Sequence, residues 1–558
     1  MLDLDPQTQA NLRRARTYQN LPPDHYLTPF TSFADLLDQR ARERPDDLFL
    51  IAYDDDAGTR QSWTFRQFNQ RVNQVANLLR HTYGVQRGER VATLAYNHPD
   101  TVFTYFACWK LGAAIAPQNV SEDDARISFI LRNASCRVVL VRPDYHARLE
   151  RIRADAPGVT EVVLFDAVYT AQVDAQSSEF TPPAVKMLED EALLVYTSGT
   201  TGAPKGVQLI QYNLLVDAKG LADWQCITPE QRMMCVLPIH HVNGTLVTLV
   251  TPLVVGTAVV LNRAFKASLF WQRCAEEQVA VVSVVPTLLQ FLCEANADIS
   301  RYDLSRLRHF ICGAGTLSVA LAVRFEQQFA KPILHGYGLS ETTCYSCFLP
   351  LDLTSEEHHR WLSAHGYPSI GVPIAPNEMA IHNDEGRALP AGVKGEIVVR
   401  GHNVMTGYFQ RPDANAETFK HGWFRTGDEG FVAHDDRGRS FFFITGRLKE
   451  LINRGGVKYS PFEIEEVLLR IPGVSVGLVV AFDNVWYGEE VGAYIVRTPG
   501  ATLTEDEILS YCRRHMPFAK APKAVVFGDD VPVTTTGKYQ RLKLKALFAQ
   551  YNETQFKG

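Results

Sequence analysis

Three stretches of this sequence combine residue types at spacings suited to handling phosphate. The first is Tyr196-Thr-Ser-Gly-Thr-Thr-Gly-Ala-Pro-Lys-Gly206. Gly199, Gly202 and Gly206 let the backbone approach a ligand closely. Thr197, Ser198, Thr200 and Thr201 supply hydroxyl donors, and Lys205 supplies a positive charge. Backbone N–H groups, hydroxyls and an ammonium together are the donor set for a polyphosphate. A Walker A loop is excluded by spacing: it needs Gly-Lys-Ser/Thr opening a helix, whereas Lys205 lies between Pro204 and Gly206 and runs into the strand-like Val207-Gln-Leu-Ile210. The second stretch is Gly336-Tyr-Gly-Leu-Ser-Glu-Thr-Thr343, in which glycines flank a ring and a hydroxyl and a carboxylate follow. That order suits a flat ligand beside a Mg²⁺-binding carboxylate. The third is Trp423-Phe-Arg-Thr-Gly-Asp428. Aspartate after a tight glycine turn is a common loop capper, and its carboxylate can also accept both hydroxyls of a ribose.

Other pieces are weaker taken singly. Pro238-Ile-His-His-Val-Asn-Gly244 holds His240 and His241, which read equally well as loop histidines satisfied by backbone. Gly313-Ala314-Gly315 reads as a turn after a strand. Lys538 sits with Arg541, Lys543 and Lys545 in what otherwise reads as a basic tail. Cys344-Tyr-Ser-Cys347 has no second pair to complete a zinc set, so it reads as a chance pair of reduced thiols.

These residues must be positioned by an α/β scaffold. Ala192–Tyr196 is a buried-strand pattern, and Arg90–Ala95 (strand) followed by Pro99–Leu111 (helix) is one of several strand–helix alternations that predict largely parallel sheets. A second alternating block runs through Arg232–Leu237, Ala258–Leu261, Val281–Val285 and Leu307–Ile311. From about Gly371 short strands and turns predict a small β-rich, barrel-like subdomain. A compact α/β pattern follows a cluster of charges and glycines at Gly446–Arg454. Residues 1 to about 30, with Pro6, Pro22, Pro23 and Pro29, read as an irregular extension. The expected fold is α/β. It has a large N-terminal domain at 1–446 with two mostly parallel sheets, a hinge at 447–451 and a small mobile α/β domain at 452–558.

The chain has 558 residues, 46% hydrophobic and 21% charged, the balance of a globular protein of several units. A net charge of −6 gives no general reason to expect nucleic acid as a partner. The acidic start is no signal peptide, and Thr245–Leu261, interrupted by Pro252 and Gly256, is too short to span a bilayer, so a cytoplasmic location is expected. A homodimer is compatible with the sequence.

In order and over most of the chain, these motifs closely resemble the adenylate-forming (ANL) superfamily, in its acyl-CoA synthetase or acid–CoA ligase branch. The resemblance implies ATP, Mg²⁺ and coenzyme A as cofactors and co-substrates, and a carboxylic acid as substrate. It implies that the loop Thr197, Ser198, Gly199, Thr200, Thr201, Gly202 and Lys205 holds the ATP phosphates. It further implies that Gly313, Ala314 and Gly315 pack against adenine, that Tyr337 between Gly336 and Gly338 stacks on it, and that Glu341 holds Mg²⁺. Thr342 would contact the α-phosphate, Asp428 the ribose and Arg447 the nucleotide, and His241 would lie beside the acyl site. Lys449 would be the residue about which the C-terminal domain swings. Gly455 and Gly456 would enter the site for thioester formation, and Lys538 would serve adenylation. Departures exist: Gln211 replaces a frequent histidine, Val457 stands where Glu or Tyr is common, and Thr354–Pro368 is long and polar. Leu448–Pro461 with Tyr487-Gly-Glu-Glu490 is similar to small-acid and oxalate-type ligases, and overlaps medium-chain fatty acyl and carnitine-type ligases. Three rival classes are an adenylation enzyme loading a separate carrier protein, a non-catalytic acyl-adenylate binder and a luciferase-type oxygenase.

Overall fold

The computed structural model describes residues 4–197, 204–533 and 539–557. Two mixed, mostly parallel sheets form the body of the chain. The nine-stranded sheet runs, edge to edge, Val372–Pro373, Cys347–Phe348, Ile333–Tyr337, His309–Cys312, Val279–Val284, Arg232–Cys235, Ala258–Asn262, Leu48–Asp54 and Thr59–Thr64. Its six inner strands are parallel and its edges antiparallel. The central strands are apolar without alternation, as strands covered on both faces must be: every residue of Val279–Val284 is buried. The seven-stranded sheet is built around parallel strands Arg90–Leu94, Ala114–Gln118, Val138–Val141 and Glu161–Leu164, continues through Glu191–Thr197 and its antiparallel partner Lys205–Ile210, and ends at the short antiparallel strand Gly407–Tyr408.

The predicted β-rich part is a four-stranded antiparallel sheet of Asn377–His382, Gly395–Gly401, Phe424–His434 and Ser440–Arg447. Beyond it a five-stranded sheet, with helices Pro461–Leu468 and Glu505–His515, encloses its own core of Ile452, Ile464, Val479, Val491 and Ile508.

The stretch read as an irregular N-terminal extension contains a helix, Pro6–Ala15. Its prolines mislead, because Pro6 occupies the first helical turn, where no N–H is needed, and Asp5 caps the helix by accepting from Gln7 and Thr8 N–H groups. Leu48–Asp54 and Ala114–Gln118 are strands that the sequence reading did not separate. Thr245–Leu261, too short for a bilayer span, forms a buried helix and strand, with a π-helical first part at Asn243–Val250. Among the described residues no helix is long and apolar enough to cross a membrane. Cys344 and Cys347 are buried and unbridged.

Candidate active site

In an open parallel sheet, ligands bind outside the carboxyl ends of the strands. Three adjacent parallel strands, Val279–Val284, His309–Cys312 and Ile333–Tyr337, here end at one cleft of about 2090 Å³, lined by Pro286, Ala314, Gly315, Gly336, Tyr337 and Gly338. The turn Gly313–Gly315 is local in origin. Ala314 takes a left-handed φ of 63°, and a side chain at Gly313 would meet the Tyr345 hydroxyl at 2.6 Å. The glycines around Tyr337 have a reason the sequence does not state. A Cβ at Gly336 would strike the Phe348 ring at 2.3 Å, and one at Gly338 the Cys344 carbonyl oxygen at 1.8 Å. Packing behind the strand requires them.

Tyr337 and Asp428, far apart in sequence, are joined here. The Tyr337 hydroxyl donates to Asp428 Oδ2 at 2.6 Å. Asp428 lies within strand Phe424–His434, opposite Arg447 in the antiparallel register with Ser440–Arg447. Arg447 Nε is 3.2 Å from Asp428 Oδ1. Asp428 is 1% exposed, and Oδ1 makes no hydrogen bond. A buried carboxylate oxygen without a hydrogen bond, facing a cleft, fits the hydroxyls of a ribose. The nearby Asp428 charge raises the Arg447 pKa, and burial, then Asp428, raises that of Tyr337 well above the usual phenol.

Glu341 sits in the short 3₁₀ turn Ser340–Thr342. The chain then reverses through Thr343 at φ 65°, where Cys344 N–H donates to Thr342 O at 2.7 Å. Asp217 supports the reversal from beneath, accepting from Tyr345 N–H at 3.4 Å and from Asn403 Nδ2 at 3.2 Å. Burial raises the Asp217 pKa well above the carboxylate range. Glu341 is 8% exposed, and its Oε1 accepts from the Tyr408 hydroxyl at 2.8 Å. Lys205 Nζ lies 4.8 Å from the centre of the Tyr408 ring. Burial lowers the Lys205 pKa, and Arg411 and Lys449 lower it further. Tyr408 therefore orients the carboxylate with its hydroxyl and supports the ammonium with its ring. The sequence reading missed it; the signal available was a glycine–tyrosine pair at Gly407-Tyr408 within a glycine- and asparagine-rich stretch.

Among the described residues no group of three or more His, Cys, Asp or Glu could hold a metal ion. A single carboxylate with one oxygen turned to Tyr408 suits Mg²⁺ carried in on phosphates, since Mg²⁺ takes one or two carboxylates plus phosphate oxygens and water.

Thr197 and Lys205 face each other across the hairpin register, and both line the cleft. Ser198, Gly199, Thr200, Thr201 and Gly202 lie outside the described residues, as does Lys538. Residues after it, Tyr539, Gln540 and Arg541, line the cleft from the C-terminal side, and Lys449 lines it at its exposed rim. Arg541 is anchored to Glu465 at 2.8 Å and Glu450 at 3.3 Å.

Five predicted positions are not part of this lining: Gly313, against which Tyr345 packs, and Thr342, His241, Gly455 and Gly456. Thr342 is fully buried, its hydroxyl engaged with the backbone of Leu339. His241 is half-buried beside His240, ring centres 4.4 Å apart, and burial pushes the His240 pKa down to about 4. Gly455 and Gly456, at φ 58° and 89°, form the tip of the hairpin Ile452–Arg454/Val457–Tyr459 and do not line the cleft.

Comparison with known proteins accords with this arrangement. The family described as AMP-binding enzyme matches residues 37–409, and the AMP-binding enzyme C-terminal domain matches 463–538. The oxalate–CoA ligase of Arabidopsis thaliana is 32% identical over 86% of this chain and 92% of its own. The sulfoacetate–CoA ligase of Cupriavidus necator is 32% identical over 92% of this chain and 97% of its own. Among solved structures, ATP-bound MatB from Rhodopseudomonas palustris superposes with a TM-score of 0.83 at 26% identity, covering 93% of this chain and all of that one. The anthranilate–CoA ligase AuaEII in complex with anthranoyl-AMP gives the same score at 25% identity, covering 93% of this chain and 98% of its own. The chain belongs to the AMP-binding enzyme family, on its acid–CoA ligase branch.

Proposed function

We propose that the chain joins a carboxylic acid to coenzyme A in two steps at one cleft. In the first, a carboxylate oxygen attacks the α-phosphorus of ATP, giving acyl-AMP and pyrophosphate. In the second, the CoA sulfur attacks the acyl carbonyl; the C–S bond forms, the C–O bond to AMP breaks, and the thiol proton is lost. A carboxylate alone is a poor acyl donor because oxide would have to leave, and the adenylate supplies a good leaving group.

One observation carries the reading. A nucleoside-sized set (Tyr337, Asp428, Arg447) and a phosphate-facing set (Lys205, Glu341 on Tyr408) line the same cleft. Asp428 Oδ1 would accept from the ribose, and Tyr337, with Ala314 and Gly315, would border the adenine. Lys205, with Thr197 and the loop after it, would neutralise phosphate oxygens, so that one anion can approach another. Mg²⁺ on Glu341, when bound, would supply charge stabilisation for the departing pyrophosphate. Thr342 would act through its turn, and His241 would border the acyl group. Lys538 belongs to the first step, because the residues that follow it line the cleft. The second step needs Gly455-Gly456 there instead, which calls for rotation of 452–558 about 447–451 at Lys449.

The relatives act on differently named acids, oxalate and sulfoacetate among them, so the acid must be found by assay. Pyrophosphate release with ATP, Mg²⁺ and a panel of mono- and dianionic acids, each with and without CoA, tests the reading. Release that rises with one acid and with CoA is expected. Release with an acid but indifferent to CoA would transfer the acceptor role to a carrier protein, and no release with any acid would overturn the activity.

A further inference from the structure

Helix Pro461–Leu468 opens the C-terminal domain and carries three carboxylates, Glu463, Glu465 and Glu466. Glu465 is committed within its own domain: Oε1 accepts from Val479 N–H at 2.8 Å, and Arg541 grips both oxygens. Glu463 stands between Lys520 and Lys394, the latter 3.9 Å away on the large domain. Glu466 faces the large domain. It is 8% exposed, and its Oε1 accepts from Val319 N–H at 3.2 Å. Val319 is the first residue of helix Val319–Phe329, whose N-cap, Ser318, accepts from Leu321 N–H. A carboxylate there also meets the positive end of the helix dipole.

Among the described residues no cation pairs with Glu466. Arg470, one turn further along its own chain, is exposed and forms no ion pair with it, but its charge lowers the Glu466 pKa and so offsets part of the effect of burial. Glu465 adds repulsion from the same helix. Across the seam are the Val319 N–H and Tyr367, whose buried hydroxyl makes no hydrogen bond. A carboxyl is thus enclosed between two domains with one N–H partner, no ion pair among the described residues, and only partial compensation from the exposed Arg470 charge. Such a group is comfortable when neutral and costly when ionised.

We infer that Glu466 is a positioning residue that sets the balance between the two domain orientations: it clasps the one in which Tyr539–Arg541 line the cleft, and its buried, unpaired charge weakens that clasp enough for the domain to leave. This rests on the two-step reading above. The linkage has a definite sign. Burial raises the Glu466 pKa from 4.5 to about 7, and rotation away would return it to water. The clasped orientation therefore binds the proton more tightly. It is most favoured below about pH 4.5, loses ground as pH rises to about 7, and stays at that lower level above.

The test compares wild type, Glu466→Gln and Glu466→Ala at pH 6 and pH 8. Adenylation is read as acid-dependent ATP–pyrophosphate exchange, and thioester formation as CoA transfer from supplied acyl-AMP. The interdomain distance is read by electron spin resonance between labels at Val185→Cys and Val485→Cys, both well exposed, with Cys226→Ser removing the exposed native thiol. Gln keeps an acceptor for Val319 N–H and removes the charge. It should enrich the clasped distance at pH 8, raise the ratio of adenylation to thioester rate about tenfold, and flatten the pH dependence of that ratio. Ala removes the charge and the acceptor together, so it should flatten the pH dependence as Gln does and give a lower ratio than Gln at both pH values. Distances and ratios unchanged from wild type in both variants would overturn the inference. If wild type made no acyl-AMP, the two-step reading would fall, while the distance data would still decide the clasp.

Discussion

In the cleft, Tyr337, Glu341 and Asp428 are each at most 8% exposed, and each is hydrogen-bonded to another cleft side chain. The hairpin carrying Gly455 and Gly456 is the reverse. Gly456 has open space around it, Val457 is 53% exposed, and the two glycine N–H groups donate to Tyr487 O and Asn453 Oδ1 at the end of a short strand pair. A buried, cross-linked carboxylate set is preorganised and needs no movement to meet a nucleotide. The exposed two-glycine turn, by contrast, does not line the cleft. The contrast is consistent with our proposal that the present arrangement serves adenylation and that the hairpin serves a later step.

If so, substitutions in the two regions should separate the two half-reactions. The largest effect is expected from Glu341→Gln, which keeps an acceptor for Tyr408 but removes the charge. Adenylation should fall about 100-fold or more, with CoA transfer from supplied acyl-AMP nearly intact. Equal losses in both steps would erase the distinction between the regions. Next is Lys449→Pro, at the exposed rim between them. CoA transfer should drop more than about tenfold, as expected for a blocked domain motion, while pyrophosphate exchange persists; normal overall turnover would remove the hinge. Asp428→Asn should raise the KM for ATP about tenfold, the worth of a hydrogen bond to a charged group, with little change in the CoA dependence of the second step. The smallest is Tyr408→Phe. It keeps the ring near Lys205 and removes one hydroxyl, so a loss of about 3- to 10-fold in adenylation is expected, read as a weaker response to Mg²⁺.

Much of the cleft was legible because its chemistry is written in short strings. Thr197, Lys205, Gly336 to Glu341 and Asp428, which line the described cleft, each sit in a short string with glycines nearby in the sequence. The strand–helix alternation was legible for the same reason. What was not legible comes from register and packing between distant elements. Asp428 meets Arg447 because two antiparallel strands pair in one register, and a local reading made it a turn capper. Tyr408 reaches Glu341 only because strand Gly407–Tyr408 pairs with Lys205–Ile210. Glu466 belongs to none of the motifs named in the sequence, and its contact with Val319 N–H depends on where a neighbouring domain rests. The flanking glycines were read for access by a flat ligand alone, whereas Phe348 and the Cys344 carbonyl behind the strand also exclude side chains there.

The most direct test of the two-step account is a single-turnover reaction of the wild-type chain with radiolabelled ATP, Mg²⁺ and its acid, quenched before and after CoA is added. The account predicts enzyme-bound acyl-AMP and pyrophosphate before CoA, and acyl-CoA with free AMP after it. Formation of ADP and phosphate, or acyl-CoA appearing with no adenylate before it, would contradict it.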